Sequence, residues 1–140
     1  MTTAIDTNVV IALWDIDTAL SLAAEKALEA AFRRGTLVIA APVFAELLAA
    51  PGRTEGFVDR FLDETGIAVD WELDERVWRS AGRAFQAYAE RRRKQQGPGP
   101  RRILADFLIG AHAETHDYRL LTLDERLYRV AFSKLAVEAL

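Results

Sequence analysis

The 140-residue sequence contains no cysteine. This excludes disulfide bonds, thiolate zinc sites and cysteine nucleophiles, and it is consistent with a reducing compartment. The chain also lacks any apolar run near the ~20 residues that span a bilayer, and its N-terminus has no basic segment typical of a signal peptide. We therefore expect a cytoplasmic protein with no membrane partner. Positive charge is not in excess, because the formal net charge is −3, so no global basic surface indicates nucleic acid.

Apolar residues make up 51% of the chain, and its length suits a single domain over residues 1–140. Short apolar runs of strand length alternate with segments of helical periodicity. The predicted strands are Ala4-Ile5, Leu37–Ala40, Ile67–Val69 and Leu120–Thr122, with a last edge strand at Leu135–Val137. This alternation predicts an α/β fold, a three-layer α/β/α sandwich with a central parallel sheet of four to five strands.

Four acidic residues interrupt apolar segments near one end of the predicted sheet: Asp6, Glu46, Asp106 and Asp124. Acids in such settings are seldom buried unless they are paired or metal-bound. Because two carboxylates ~5 Å apart repel by roughly 3 kcal/mol at an effective dielectric of ~20, a cluster of four requires a cation. Oxygen ligands without cysteine favour Mg²⁺ or Mn²⁺ over zinc.

The alternative is that these four acids are unrelated caps and surface groups, since the chain contains 21 acidic residues. In that interpretation Asp6 only caps the first helix. Otherwise Thr7 or Asn8 is the predicted N-cap of this helix, because either side chain can accept hydrogen bonds from free backbone N–H groups.

Four sequence blocks carry a resemblance to a known family: Ile5-Asp6-Thr7-Asn8, Ala45-Glu46-Leu47, Ala105–Ala113 and Leu121-Thr122-Leu123-Asp124. In order and approximate spacing they resemble the signature blocks of PIN-domain ribonucleases. The resemblance runs from about residue 3 to residue 137. The small size, without an appended domain, is similar to that of the VapC toxins of prokaryotic toxin–antitoxin pairs.

The resemblance implies a PIN-like fold and a metal-dependent endoribonuclease that leaves 5′-phosphate and 3′-hydroxyl ends. It implies that the four acids form the catalytic site, with Asp6 and Asp106 as the main ligands of Mg²⁺ or Mn²⁺. Thr7, Asn8 and Thr122 would be polar supports that orient carboxylates or hold metal-bound water. One bound cation would activate a water, and in a two-ion site the second would stabilise the leaving 3′ oxygen; the sequence leaves one-ion and two-ion sites both open.

The implied partners are an RNA substrate and a cognate antitoxin protein. Apolar residues on the predicted helices over Leu20–Phe32 and Phe57–Leu62 would suit a homodimer or an antitoxin groove.

A basic stretch precedes Asp106. Six basic residues and no acid lie between residues 91 and 102, one third of the 18 lysines and arginines: Arg91, Arg92, Arg93, Lys94, Arg101 and Arg102. The functional interpretation is an RNA-binding arm that follows backbone phosphates beside the acidic site. The alternative is a solvated helix end followed by a loop. No aromatic residue is interleaved, so base stacking is not predicted. A helix is expected to restart at Arg101.

Two histidines, His112 and His116, suggest a zinc motif, but the His-Glu-x-x-His arrangement needs its glutamate in second place, and here Glu114 stands third. Both histidines are expected at the surface or at a helix end. Two rival functions stay open. A phosphatase or phosphotransfer domain would use Asp6 as nucleophile, although no Asp-x-Asp motif surrounds it. A non-catalytic PIN-like module would bind RNA without cleaving it.

Overall fold

A five-stranded sheet, in the order β3-β2-β1-β4-β5, forms the centre of the computed structural model, which describes residues 1–95 and 102–140. Every neighbouring pair of strands is parallel, and β1 lies between β2 and β4. The strands are β1 (Thr2–Ile5), β2 (Thr36–Ala40), β3 (Ala68–Asp70), β4 (Arg119–Thr122) and β5 (Ala136–Ala139). The predicted α/β fold with a parallel sheet is confirmed.

Helices connect the strands and flank the sheet. They are α1 (Thr7–Trp14), α2 (Ala19–Arg34), α3 (Ala41–Leu48), α4 (Glu55–Thr65), α5 (Glu75–Gln95), α6 (Leu104–Thr115) and α7 (Glu125–Ala131). Threonine side chains cap the N-termini of α2 and α4. The hydroxyls of Thr18 and Thr54 accept hydrogen bonds from the backbone N–H groups of Ser21 and Phe57. Gly66 ends α4 with a φ of 71°, a conformation that favours glycine.

The inner strands are apolar on both faces, as expected of a parallel sheet covered by helices. Ile5 of β1, Ile39 of β2 and both Leu120 and Leu121 of β4 are fully buried. Each such side chain contributes about 1.5–3 kcal/mol when it leaves water. The central strands therefore anchor the residues that follow them, which include Asp6.

Helix α6 is buried on all sides from Phe107 to Ala113. It contacts α5, α3, β4 and α7. The contact with α7 depends on Gly110, because a Cβ atom there would lie 2.3 Å from Cε2 of Phe132. The close packing fixes α6 against its neighbours along most of its length.

The prediction that both histidines lie at the surface or a helix end is wrong for His112, which is fully buried in α6. Its Nε2 lies 2.8 Å from Oδ2 of Asp70, the last residue of β3. Burial lowers the pKa of His112, although Asp70 opposes the shift. His112 lies in the part of α6 where every side chain is buried, so its ring has no exposed position. His116 does end the helix, as predicted.

Two local predictions also need correction. The N-cap of α1 is Asp6, since its carboxylate accepts a hydrogen bond from the N–H of Thr7, so neither Thr7 nor Asn8 has that position. Helix α6 begins at Leu104 rather than at Arg101, which lies outside the described residues. Within the two described ranges, no helix is long and apolar enough to cross a membrane.

Candidate active site

The topology places a crevice between the carboxyl ends of β1 and β4. After β1 the chain adds β2 and β3 on one side, and it then returns to add β4 and β5 on the other. Open α/β sheets bind their ligands where the strand order reverses in this way. Asp6 follows β1 directly, and its backbone N–H donates to the Leu121 carbonyl at 3.0 Å. Asp124 comes two residues after β4.

All four predicted acids line one recess at this crevice. Each comes from a different part of the fold: the end of β1, helix α3, the first turn of α6 and the start of α7. The recess is lined by Asp6, Glu46, Asp106 and Asp124 together with Thr7, Asn8 and Tyr128, and we call it the acid recess. The four acids are therefore not scattered caps and surface groups, although Asp6 caps α1 as well as lining the recess.

Asp6 is the most enclosed of the four acids, with 5% of its surface exposed. Its Oδ1 accepts from the Thr7 N–H and its Oδ2 accepts from the Thr122 hydroxyl, each at 2.8 Å. Burial nevertheless raises the pKa of Asp6 to about 6, and the charge of Asp106 adds to the rise. The site therefore holds a carboxylate whose ionised form lacks sufficient compensation.

Asp106 is half-buried in the first turn of α6, where its Oδ2 accepts from the Ile103 N–H at 3.2 Å. Burial raises the pKa of Asp106, and the charge of Asp124 adds to this rise. The hydrogen bond from Ile103 and the charge of Arg102 oppose it. The two carboxyls expected to bind metal, Asp6 and Asp106, are thus both harder to ionise than in water.

Hydrogen bonds hold the other predicted polar residues in place. The Thr7 hydroxyl donates to Glu46 Oε1 at 2.6 Å, which joins α1 to α3 across the recess. Asn8 Oδ1 accepts from the backbone N–H of Leu123 at 3.1 Å, so it fixes the loop after β4 rather than a carboxylate. Thr122 Oγ1 donates to Asp6 and also accepts from the Asp124 N–H at 2.9 Å.

Sequence reasoning missed Tyr128, whose side chain is buried in the acid recess. Burial raises the pKa of its hydroxyl, and the charges of Asp6, Asp106 and Asp124 add to the effect. The hydroxyl is close enough to Asp6 to lower the pKa of that carboxyl, yet no described residue makes a hydrogen bond of ordinary geometry with it. The available signal was its place four residues after Asp124, on the same face of α7.

Asp124 is paired with a cation, which the sequence did not predict. Its Oδ2 accepts a hydrogen bond from Nη1 of Arg102 in a short ion pair. The Asp124 side chain is 29% exposed and that of Arg102 is 28% exposed. The neighbouring acid Glu125 points elsewhere, because it pairs with Arg129 one turn along α7 at 3.2 Å. Asp124 rather than Glu125 is therefore the acid at this position of the recess.

Four of the six predicted basic residues, Arg91–Lys94, lie in the last turns of α5, and Arg102 contacts Asp124 at the acid recess. Arg92, Arg93 and Arg102 line a second recess together with Phe85 and Tyr88, which we call the basic recess. No aromatic is interleaved within the basic stretch itself, but these two rings, from the preceding turns of α5, line the same recess. Of the other predicted basic residues, Arg91 is half-buried and Lys94 exposed on the same helix, and Arg101 lies outside the described residues.

The acid recess has the donor chemistry of a hydrated divalent cation rather than of an enclosed metal site. Among residues 1–95 and 102–140, no three side chains of histidine, cysteine, aspartate or glutamate are arranged to hold a metal ion. Mg²⁺, however, is held by one or two carboxylates and keeps several waters. Asp6 and Asp106 supply such a pair, and the Tyr128 hydroxyl is a buried polar group without a described partner.

A five-stranded parallel sheet with an acidic crevice at its switch point defines the class of this domain, and comparison with known proteins gives the family. The profile of the PIN domain matches residues 3–133, so the chain belongs to the PIN domain family. PIN domains are generally nucleases and generally use divalent metals. The comparison with curated proteins gave no match.

Solved structures share this fold along the whole chain. VapBC2 from Rickettsia felis, bound to a DNA fragment from its promoter, aligns with a TM-score of 0.73 and 19% identity, covering 99% of this chain and 98% of that one. VapBC-1 from nontypeable Haemophilus influenzae gives 0.68 and 18%, with coverage of 99% and 98%. FitAcB from Neisseria gonorrhoeae gives 0.61 and 21%, with coverage of 96% and 95%.

Proposed function

We propose that this protein is a Mg²⁺- or Mn²⁺-dependent endoribonuclease that cleaves RNA phosphodiester bonds. The observation that carries the proposal is the convergence of four acids in one recess at the switch point of the sheet. Burial of the Asp6 carboxyl, with its pKa raised to about 6, leaves a negative charge that a divalent cation would compensate.

Asp6 and Asp106 are the proposed metal ligands, and Glu46 and Asp124 complete the acidic site. A bound divalent cation supplies a water of lowered pKa and screens the anionic phosphodiester. Thr122 and the Thr7 N–H hold both oxygens of Asp6 in fixed positions. Because the Thr7 hydroxyl fixes one oxygen of Glu46, the other is the one that can accept a proton from a water.

The basic side chains beside the acid recess are the proposed RNA-binding surface. A bare acidic site repels a polyanion, so nearby cations are needed to hold the strand. Arg91, Arg92, Arg93 and Lys94 lie at the end of α5, and Arg102 pairs with Asp124 at the recess. These charges neutralise phosphates without reading sequence.

We further propose that the protein is the toxin of a toxin–antitoxin pair, restrained by a cognate antitoxin, and that it forms a homodimer. The similar structures are VapBC and FitAB complexes, and the alignment covers 94–98% of the matched chain in each. Large apolar side chains on α2 support a protein partner, since Leu20, Leu22 and Phe32 are 46%, 60% and 62% exposed.

The test is a cleavage assay on mixed single-stranded RNAs with Mg²⁺, with Mn²⁺ and with a chelator. We expect cleavage with either metal and none with the chelator. Asp6→Asn and Asp106→Asn are expected to reduce cleavage at least a hundredfold, on the order of the effects seen when single catalytic groups are removed.

Asp63→Asn is the matched control, because this exposed aspartate of α4 lies outside the acid recess. It should cleave at the wild-type rate. Intact RNA in the presence of both metals would reject the enzymatic proposal and leave a binding module. A covalent aspartyl-phosphate on Asp6, stable to acid, would instead favour the phosphotransfer alternative.

A further inference from the structure

We propose that Asp124 is a positioning residue that holds Arg102 at the rim of the acid recess, where the guanidinium binds the RNA phosphate next to the one being cleaved. The inference rests on the proposed function, since RNA is the ligand. It goes beyond that proposal, in which Asp124 only completes the acidic site, by giving Asp124 a cationic partner and a positioning role.

The pair is held at both ends. The backbone N–H of Arg102 donates to the Tyr88 hydroxyl at 2.8 Å, which fixes the residue against α5. The backbone N–H of Asp124 donates to Thr122 Oγ1 at 2.9 Å. With both main chains fixed, the ion pair sets the direction of the Arg102 side chain instead of joining two free surface groups.

The pair also marks the boundary between the two recesses. Arg102 lines the basic recess and Asp124 lines the acid recess, so their contact is where one meets the other. A strand with one phosphate at the acids has to carry its neighbouring phosphate past this point. A guanidinium has five N–H donors, and at 28% exposure Arg102 keeps some of them available after binding one carboxylate oxygen.

Charge argues against Asp124 as a metal ligand. Arginine stays protonated at any physiological pH, so a cation bound to Asp124 would lie beside a permanent positive charge. The Asp6 carboxylate receives only uncharged donors, from Thr7 and Thr122. Asp106 receives a backbone N–H, from Ile103, and the charge of Arg102 acts on it only from a distance.

A neighbouring ion pair provides matched controls. Glu125 and Arg129 pair at 3.2 Å on α7, and neither lines the acid recess or the basic recess. Their side chains are 49% and 54% exposed. Removing the charge of Glu125 changes the net charge as much as removing that of Asp124, and Arg129 matches Arg102 in the same way. In both controls the change is made outside the two recesses.

The experiment is a double-mutant cycle on RNA affinity. Binding of a fluorescein-labelled single-stranded RNA decamer is measured by anisotropy with Mg²⁺, in an Asp6→Asn background that blocks cleavage. Arg102→Gln should weaken binding about tenfold and reduce the salt slope by about 0.7, the value for one phosphate contact. In the Asp124→Asn background the same change should cost less than about threefold, since the guanidinium is no longer held.

Measurements of metal affinity distinguish a positioning role of Asp124 from a role as metal ligand. Kinetics distinguish phosphate binding by Arg102 from a contact made only in the transition state. With Asp6 intact, Mn²⁺ affinity from electron paramagnetic resonance should change less than about threefold in Asp124→Asn, whereas loss of a direct ligand is expected to exceed the ~10–100-fold effect of outer-shell changes. Arg102→Gln should raise KM with kcat nearly unchanged, because the contact is made equally before and during the reaction. Arg102→Lys should recover part of the affinity.

Three results would overturn the inference: an equal effect of Arg102→Gln in both backgrounds, a tenfold or larger loss of Mn²⁺ affinity in Asp124→Asn, or the same weakening in Arg129→Gln and Glu125→Gln. The two proposals fail separately. If the wild-type protein does not cleave RNA, the nuclease proposal falls, but the anisotropy cycle still decides whether Asp124 positions Arg102 for a phosphate.

Discussion

Replacing Asp6 by asparagine should stabilise the protein in the absence of metal. Asparagine is also a good N-cap, so α1 keeps its first hydrogen bond. What the change removes is a buried charge whose pKa is raised from 3.8 to about 6. At 1.36 kcal/mol for each pKa unit, ionising Asp6 costs the folded state about 3 kcal/mol at pH 7.

The net gain is smaller than this cost. Asparagine presents an NH2 group where Asp6 has Oδ2, so the Thr122 hydroxyl loses this acceptor, which costs about 1 kcal/mol, the usual net contribution of a hydrogen bond. We therefore expect Asp6→Asn to raise the free energy of unfolding by about 1–2 kcal/mol at pH 7 without metal, or the melting temperature by about 5 °C.

The stability difference between Asp6→Asn and the wild type should depend on pH in a definite direction. Because the folded pKa of Asp6 lies above the unfolded value of 3.8, the folded state binds more protons between about pH 4 and pH 6. The free energy of unfolding of the wild type therefore falls as the pH rises through that window. Above about pH 6 the full cost of ionising Asp6 is present. Asparagine does not titrate, so the advantage of the variant should be small near pH 4 and largest at pH 7.

The assay is urea denaturation in the presence of a chelator, at several pH values between about 4 and 7. Asp74→Asn is the control, since Asp74 is an exposed aspartate at the start of α5 that accepts from the Val77 N–H at 3.1 Å. That hydrogen bond lowers the pKa of Asp74, so replacing its charged acceptor by an amide should destabilise the protein near neutral pH, which is the opposite sign. An Asp6→Asn variant that is less stable at pH 7, or a difference independent of pH, would refute the reasoning.

Three further predictions test the surroundings of the site. Gly110→Ala should destabilise the protein by about 1–3 kcal/mol or more in a urea titration, because the new Cβ meets the Phe132 ring; unchanged stability would mean that α6 and α7 can separate freely. Replacing Arg91–Lys94 by serine should reduce the salt slope of RNA binding by up to about 3, and an unchanged slope would return this segment to the solvated-end interpretation. Thr122→Val should shift the pH window of the metal-free stability upward, since Asp6 loses a donor that lowers its pKa, and Thr122→Ser should restore it.

The sequence was sufficient for the sheet and for the four acids, because both depend on short-range signals. Apolar runs of strand length indicate parallel strands; Asp6 follows one such run directly, and Asp124 comes two residues after another. Since the carboxyl ends of parallel strands meet at one edge of the sheet, these two acids were expected near each other. Their placement together with Glu46 and Asp106 agrees with that reasoning.

Contacts between distant segments were not predictable in the same way. The pairing of Arg102 with Asp124 spans 22 positions, and both residues have other plausible partners in the sequence. His112 looked like a helix-end residue because its neighbours do not show that α6 is enclosed on every side. Tyr128 carried a local signal, the helical spacing from Asp124, but its burial depends on how α7 docks.

The close packing of α6 against Phe132 limits how the acid recess can adjust to a ligand. Gly110 lies four residues, or about 6 Å along the axis, from Asp106. The helix cannot rotate about its own axis, because its backbone at Gly110 would collide with the Phe132 ring. The orientation of Asp106 is therefore set by this packing and not by a ligand. Adjustment to the proposed RNA substrate would therefore fall to the arginine side chains at the end of α5 rather than to a movement of α6.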